Sequence, residues 1–336
     1  MEMDPARAPD RDEARIAQLS AECERRWPVA AQALDAIHRY AMLPPGKLLR
    51  PLLVLESALA VGGDAERVLP AAIGFECAHV ASLIHDDIID HDDTRRGRTS
   101  VHHRFGLERA IVAGDSLFFQ WFDALGECLA RGVPAEQVAA AMRIQAVTGM
   151  EVCRGAELEL SLGGNIHCGV DRYLEMARLK TAVLLSGACR VGAVLGGDGR
   201  EPERARTLGE FGEALGLAFQ IRDDLLPFDD GQETIGKPAG SDLRNRRPTL
   251  PLLLAYQAGT SDDRALIEHA LSANADCAAA HASILHLIHR TGAYAASVRF
   301  AADHAARAHR LLAALPATSS REHLRRLTQT AVSRQR

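Results

Sequence analysis

Apolar residues recur along this chain of 336 residues at spacings of three and four, between short clusters of Gly, Pro and Asp. That period marks helices with one buried face. A polar helix is expected over 13–26, behind a disordered start (1–12) in which Pro5 and Pro9 sit among charges. Pro28 suits the opening of a second helix, to about Tyr40. Leu43-Pro44-Pro45-Gly46 breaks the chain. Lys47 then begins an apolar helix with Pro51 in its first turn or so, where proline is tolerated, and Gly62-Gly63 ends it. Asp64 is the N-cap expected of a long helix reaching Asp90. About 25 residues at ~1.5 Å each span roughly 38 Å, enough to cross a domain. Further helices are predicted over 107–131, 134–161, 171–195, 201–226, 248–258, 262–273, 276–290, 292–314 and 320–333. No strand, repeat or low-complexity linker emerges. The fold expected is all-α, with 13–336 forming a single large helical bundle domain.

Composition strengthens that picture. Hydrophobic residues make up 47% and aromatics only 4%, so strand formers are sparse and packed helices are favoured over sheet. A formal net charge of −5 argues against a general nucleic-acid binder. The seven cysteines (Cys23, Cys77, Cys128, Cys153, Cys168, Cys189 and Cys277) are odd in number and lack a Cys-x-x-Cys. They read as buried reduced thiols of a cytoplasmic protein. The polar, charged start reads against a signal peptide. No uninterrupted apolar run approaches the ~20 residues of a membrane span.

The chemistry concentrates in residues 76–106. An apolar helix carries Asp86, Asp87 and Asp90 to its C-terminal end, and Arg95-Arg96-Gly97 follows. Asp86 and Asp90, four apart, project from one face and repel each other at the negative end of the helix dipole. The arrangement is unfavourable unless a cation sits there. Hard oxygen ligands suit Mg²⁺, which takes one or two carboxylates plus phosphates and water, and the arginines would grip the same phosphates. The plainer alternative is a solvated acidic helix end before a basic loop. A second acidic end, Phe219-Gln220-Ile221-Arg222-Asp223-Asp224, precedes a second basic loop running through Gly236, Lys237, Asp242 and Arg244. Two such ends facing across a bundle would hold several Mg²⁺ ions and one diphosphate. Gly46-Lys47-Leu48-Leu49-Arg50-Pro51 reads as an anion site: the glycine lets the backbone turn, and the helix start offers N–H groups beside two cations. Lys180-Thr181 lies in an apolar helix, where a lysine either snorkels to solvent or meets an anion in a cleft.

These motifs, Gly46-Lys47-x-x-Arg50-Pro51, Asp86-Asp87-Ile88-Ile89-Asp90 with Arg95-Arg96-Gly97, Lys180-Thr181, Phe219-Gln220-x-x-Asp223-Asp224, Lys237 and Ser241-Asp242-Leu243-Arg244, resemble in order and spacing those of the trans-isoprenyl diphosphate synthases (polyprenyl synthetases). The resemblance covers roughly residues 40–255. It implies an all-α bundle with a central cavity, of the isoprenoid synthase type, working as a homodimer. It also implies a prenyltransferase. An allylic diphosphate ionises, the double bond of isopentenyl diphosphate attacks the cation, and a proton is lost to give a trans-polyprenyl diphosphate five carbons longer. Carried over residue by residue, Asp86, Asp90 and Asp223 bind Mg²⁺, with Asp87 and Asp224 beside them in motifs that hold three ions per active site. Lys47, Arg50, His79 and Arg96 hold isopentenyl diphosphate. Arg95, Lys180, Thr181, Gln220 and Lys237 hold the allylic diphosphate. Asp86, Asp90, Asp223 and Lys180 form the catalytic set, and the apolar helices supply a dry pocket.

One position departs from the family. The third aspartate of the second motif is Pro227, which cannot bind metal and ends the helix; Asp229 or Asp230 is the candidate substitute. Ahead of Asp86, Ala81 and Ser82 are small, so an early floor to the tail pocket is not expected. Phe75 lies about 16 Å below Asp86 along the axis. With Phe118 and Phe119 of the next helix it is either a floor or ordinary core. A product near geranylgeranyl diphosphate is expected, with a longer chain open. Glu76-x-x-His79 has the spacing of a di-iron ligand pair, but no second pair exists, so His79 reads as a substrate contact or a satisfied core histidine. His281, His286 and His289 read as surface or core. Three competing functions stand beside this reading. A terpene cyclase needs no second diphosphate site. A non-head-to-tail prenyl coupling enzyme would account for Pro227. A non-catalytic partner subunit should have lost the carboxylates retained here.

Overall fold

Helices dominate the computed structural model, which describes residues 11–29, 32–198, 202–229, 241–272 and 276–332. Contacts divide the chain into two units. One comprises Met1–Gln145, Ala188–Arg206 and Pro316–Leu324, the other Ala146–Gly187, Thr207–Leu315 and Arg325–Arg336. Residues 1–10 of the expected disordered start lie outside the described residues, while 11 and 12 already belong to the first helix.

The first unit contains α1 (Arg11–Arg26), α2 (Ala33–Met42), α3 (Leu49–Ala60) and α4 (Ala65–Ile89). A hairpin of β1 (Thr94–Arg95) and β2 (Arg98–Thr99) follows, then α5 (Val101–Phe105), α6 (Leu107–Ala130) and the first part of α7 (Ala135–Leu162). Packed on α3 and α6, α4 is buried at every residue of 68–78; a helix apolar all round belongs in a core. Asp64 caps it as expected, its side chain accepting from the Glu66 N–H at 2.9 Å. Pro70, inside the helix, removes the N–H that would reach the Glu66 carbonyl. The Arg131 guanidinium, just past α6, donates to that carbonyl at 2.7 Å, so the orphaned acceptor is satisfied and the helix continues. Gly74 admits α6 closely: a Cβ there would sit 2.9 Å from the Ala124 Cβ.

The pattern of apolar residues gives no sign of the hairpin, which follows from turn chemistry instead. Arg96 (φ 54°) and Gly97 (φ 72°) both take left-handed backbone, the requirement of a type I′ turn. Thr94 pairs with Thr99 and Arg95 with Arg98. This short ladder is the one strand pairing among the described residues, and the fold is all-α.

The second unit holds the rest of α7, then α8 (Gly169–Ala177) and a π segment (Arg178–Ala182) that leads into α9 (Val183–Gly196). After α10 (Pro202–Leu225) come α11 (Ser241–Arg244), α12 (Leu250–Ala258), α13 (Ser261–Ala270), α14 (Cys277–Arg290), α15 (Ala293–Ala313) and α16 (Ser319–Val332). Like α7, helices α9, α10 and α16 have residues in both units. The core of the second unit gathers Tyr173, Leu217, Ile221, Phe228, Leu253 and Ile284. The helix expected over 171–195 is therefore not uniform: Lys180 and Thr181 lie in its π segment, a geometry with i→i+5 bonds that is frequent at functional sites. Gly155 of α7 abuts the backbone of Leu179 and Lys180, where a Cβ would overlap. Leu158 and Leu162 of α7 bury against Leu179.

Two stretches, Ala65–Ile89 and Ile166–Gly196, are long and apolar enough to cross a membrane by length and composition. Of their most apolar windows, 78% and 67% respectively are buried inside the protein, as in core helices.

Candidate active site

Carboxylates leave the end of α4 in two directions. Successive helical residues turn by about 100°, so Asp86 and Asp90 share a face that Asp87 leaves. Asp86 and Asp90 are half-buried. Asp90 is the C-cap, its N–H donating to the Asp86 carbonyl at 2.8 Å. Asp87 is buried and accepts from Arg95 Nε at 2.7 Å, and from its Nη2. Burial pushes the Asp87 carboxyl up to about 6, although the Arg95 guanidinium pulls the other way. The sequence places Asp87 with metal and Arg95 with a diphosphate; in the structure they are engaged with each other.

Arg96, at the hairpin tip, lies over Gly46. A Cβ on that glycine would come 2.7 Å from Arg96 Nη2. Gly46 therefore serves the close approach of a guanidinium, while the left-handed backbone belongs to Leu48 (φ 53°), just before α3. This corrects two expectations, that Gly46 makes the turn and that Lys47 begins the helix. With α3 starting at Leu49, Pro51 falls in its first turn. Lys47 is exposed. One turn apart on α4, Glu76 is buried and His79 half-buried. Burial holds the His79 imidazole well below its usual range, and the charges of Arg50, Arg96 and Arg95 push the same way. Burial raises the Glu76 carboxyl, with Arg50 and Arg96 opposing. Glu76 and His79 thus both lie within electrostatic reach of Arg50 and Arg96, which favours a neutral imidazole.

Toward the other end of α4, Phe75 is fully buried and stands edge-on to Trp121 of α6, ring centroids 5.2 Å apart. Ala81 is buried, and Ser82 turns its hydroxyl onto the His79 carbonyl at 2.8 Å. Phe118 is half-buried beside His85, with ring centroids 5.8 Å apart. Phe119 is 75% exposed, which corrects its place in a floor. It stands about 200° round α6 from Trp121, the ring that does meet Phe75. The sequence signal for Trp121 is its place on the buried stripe Leu117, Trp121, Ala124.

In the second unit, α10 ends with Asp223 half-buried and Asp224 buried. Asp224 accepts from Tyr173 Oη at 2.6 Å and from Gln220 Nε2 at 2.8 Å. Gln220 Oε1 in turn accepts from Thr181 Oγ1 at 2.6 Å. Burial pushes the Asp224 carboxyl up to about 7, and Asp242 adds to the rise. Lys180 donates to Glu159 Oε2, which also accepts from Arg247 Nη2 at 3.2 Å. Lys180, Thr181, Gln220 and Asp224 are therefore brought together, joined by Tyr173, Glu159 and Arg247, which motif reading passes over. Glu159 had a signal: it is a charged residue on the stripe Gly155, Leu158, Leu162 of α7. Pro227 lies in a 3₁₀ turn (Leu226–Phe228) that follows α10, as expected of a proline there. Asp229, one candidate for the missing carboxylate, is engaged by two donors. Arg222 Nη2 donates to it at 2.6 Å and Tyr294 Oη at 2.5 Å. Asp230 and Lys237 lie outside the described residues.

Among the described residues, no three His, Cys, Asp or Glu side chains gather into a ready-made metal cage. The donors at the end of α4 nonetheless fit Mg²⁺, an ion that takes one or two carboxylates and completes its shell with phosphate and water. A carboxylate pair at the end of α4, and a histidine on the same helix near arginines from α3 and the hairpin, can handle two phosphate groups, one through a cation and one directly. Over residues 31–288 the chain matches the polyprenyl synthetase family, and it belongs to that family. The short chain isoprenyl diphosphate synthase of Methanothermobacter thermautotrophicus is 34% identical over 290 residues, 86% of this chain and 87% of that protein. Component 2 of the heptaprenyl diphosphate synthase of Geobacillus stearothermophilus is 34% identical over 313 residues, 93% of each chain. The crystal structure of geranylgeranyl pyrophosphate synthetase from Pyrococcus horikoshii Ot3 is similar with a TM-score of 0.87 at 30% identity, covering 96% of this chain and 97% of that one.

Proposed function

We propose that this chain is a Mg²⁺-dependent prenyltransferase. It condenses isopentenyl diphosphate head-to-tail with an allylic diphosphate to make a trans-polyprenyl diphosphate near geranylgeranyl diphosphate in length. One observation carries the reading: α4 presents two kinds of phosphate handle. Asp86 and Asp90 stand at its end, and about two turns earlier His79 lies among the charges of Arg50 and Arg96. Two substrates that each bear a diphosphate, one to be ionised and one to be kept, need both handles. The named activities of the relatives are of this kind.

Asp86, Asp90 and Asp223 would hold Mg²⁺, whose charge would offset the negative charge gathering on the departing diphosphate. Lys180, Thr181, Gln220 and Lys237 would bind the allylic diphosphate, as would Arg95, since a guanidinium has donors beyond those it gives to Asp87. Lys47, Arg50 and Arg96 would grip isopentenyl diphosphate, with neutral His79 hydrogen-bonding beside them. The allylic C–O bond breaks and the released diphosphate keeps the electron pair. The double bond of isopentenyl diphosphate then attacks the allylic carbon, and the released diphosphate takes the proton lost from the new unit. The chain supplies no nucleophile; it orients the reactants and keeps water from the cation. Phe75 against Trp121 would close the tail pocket about 16 Å from Asp86 along α4.

We read the working form as a water-soluble homodimer of the cytoplasm. Leu107, Ile111, Val112, Phe119 and Leu129 leave an apolar strip exposed on α6, which a second copy would cover. Cys23, Cys77, Cys128, Cys153, Cys168 and Cys189 are free thiols, which suits a reducing compartment.

The test is to incubate purified protein with Mg²⁺ and isopentenyl diphosphate, adding dimethylallyl, geranyl or farnesyl diphosphate in turn, and to read the products by mass. Linear diphosphates longer by five-carbon steps are expected, ending near geranylgeranyl diphosphate. Cyclic or branched products would overturn the proposal in favour of a cyclase or a coupling enzyme. No turnover would overturn it in favour of a partner subunit.

A further inference from the structure

We infer that Glu159 is a positioning residue for the allylic diphosphate: it holds the Lys180 ammonium in place against Arg247. The inference rests on the function proposed above, through Lys180. Three charged side chains meet at one carboxylate oxygen. Lys180 donates to Glu159 Oε2, and Arg247 Nη2 lies 3.2 Å from the same atom. All three are largely withdrawn from water, at 18% exposure for Lys180 and 16% each for Glu159 and Arg247.

The fold grips Lys180 twice from one face of α7. Gly155 lies against its backbone, in the π segment, with no room for a Cβ. One turn further along, Glu159 takes its ammonium. Leu158 and Leu162 pack on Leu179 and hold the two elements together. A lysine on a four-carbon stem is otherwise free to sample many rotamers, and ordering it costs affinity when substrate arrives. An ammonium carries three donors, so it can serve Glu159 and a phosphate oxygen together.

The charges decide between two roles. A carboxylate near a phosphate site weakens anion binding if it merely competes for the cations. It strengthens binding if the cations would separate without it. Here two cations reach for one oxygen, so removing its charge leaves them repelling at close range. Lys180, on a flexible four-carbon stem, has more rotamers to move into than the planar fork of Arg247, which lies 4.0 Å from Asp242.

The experiment compares Glu159→Gln and Glu159→Asp in the full-length enzyme. It reads KM for geranyl diphosphate, KM for isopentenyl diphosphate, kcat, and the Kd of inorganic diphosphate with Mg²⁺ by calorimetry. For E159Q, the geranyl diphosphate KM and the diphosphate Kd should each rise about tenfold, the scale of losing a charge-assisted hydrogen bond. KM for isopentenyl diphosphate should stay within about twofold, and E159D should recover part of the loss. An unchanged or lower geranyl diphosphate KM in E159Q overturns the inference, as does a parallel rise in both KM values. If E159Q does not fold, a selective rise in the geranyl diphosphate KM of E159D sustains the role and its absence refutes it. If the wild type makes no prenyl product, the function falls by itself. Diphosphate affinity then decides the role of Glu159: weaker in E159Q sustains it, equal or tighter refutes it.

Discussion

Removing the Phe75 ring would measure the depth of the tail pocket. Phe75 has no exposed surface and meets Trp121 edge-on, so Phe75→Ala trades a filled site for a cavity. Aromatic-to-alanine changes in a core cost about 3–5 kcal/mol, part of it the lost ring pair. The variant should melt lower and still fold. Eleven residues of α4 separate Phe75 from Asp86, about 16 Å at ~1.5 Å each. An isoprene unit adds four main-chain carbons, about 5 Å of zigzag with C–C bonds of ~1.5 Å. Three units therefore just reach the ring, and four, at about 20 Å, pass it. Farnesyl diphosphate should be accepted as the last allylic substrate and geranylgeranyl diphosphate refused. In F75A geranylgeranyl diphosphate should be accepted too, with five-unit and longer products appearing by mass spectrometry. Trp121→Ala should shift the products in the same direction, and less than additively with F75A, because the two rings form one barrier. A folded F75A with the wild-type product spectrum would refute the floor, as would a wild type that already makes long chains.

Other expectations can be checked with similar means. Asp86→Asn should lower kcat about a hundredfold or more with an unchanged circular dichroism spectrum; near-normal turnover would withdraw it from the metal site. Gly155→Ala should destabilise the protein by about 1–3 kcal/mol in urea titrations, because the new Cβ meets backbone that cannot step aside. A stability equal to wild type would show that α7 and the π segment can separate. Alkylation near neutral pH should modify exposed Cys153 ahead of the buried Cys23, Cys128 and Cys189. Burial raises Cys128 to about 11 and Cys23 and Cys189 to about 12, against 9.0 for an unperturbed thiol. The unfolded chain loses these protons first. Their contribution to stability is therefore complete below pH 9 and falls as pH rises toward the folded values, by at most about 1.4 kcal/mol per pH unit for each thiol. Urea midpoints that stay flat above about pH 9 would contradict this.

How legible the molecule was depends on what kind of signal each feature leaves. The helix expected over 107–131 is α6 (Leu107–Ala130), and Asp64 caps α4, because repeated apolar spacing and breakers report on many residues at once. The hairpin at 94–99 rests on a left-handed arginine beside one glycine, too local for any periodicity to show. Six motifs located the site, but a motif counts residues without saying where they turn. Asp87 sits in the same run as Asp86 and is rotated onto Arg95. Phe119 and Trp121 are two positions apart, one in water and the other in the core. Pro227 was visible as a departure, whereas the capture of Asp229 by Arg222 and Tyr294 needs a partner 65 residues away in the chain.

The π segment also bears on how such chains diverge. A π turn is in effect one residue inserted into an α-helix. Deleting one residue from Arg178–Ala182 would restore regular geometry and leave the helix beyond it in register, because the wide turn absorbs the extra residue. Gly192 and Gly196, whose bare faces admit Val54 and Ala58, would keep that contact, while the local turn that carries Lys180 to Glu159 would be lost. An alignment would record the loss as a single-column gap between nearly identical sequences. One residue of length in this turn therefore changes what the helix presents at Lys180 without rebuilding the helix on either side.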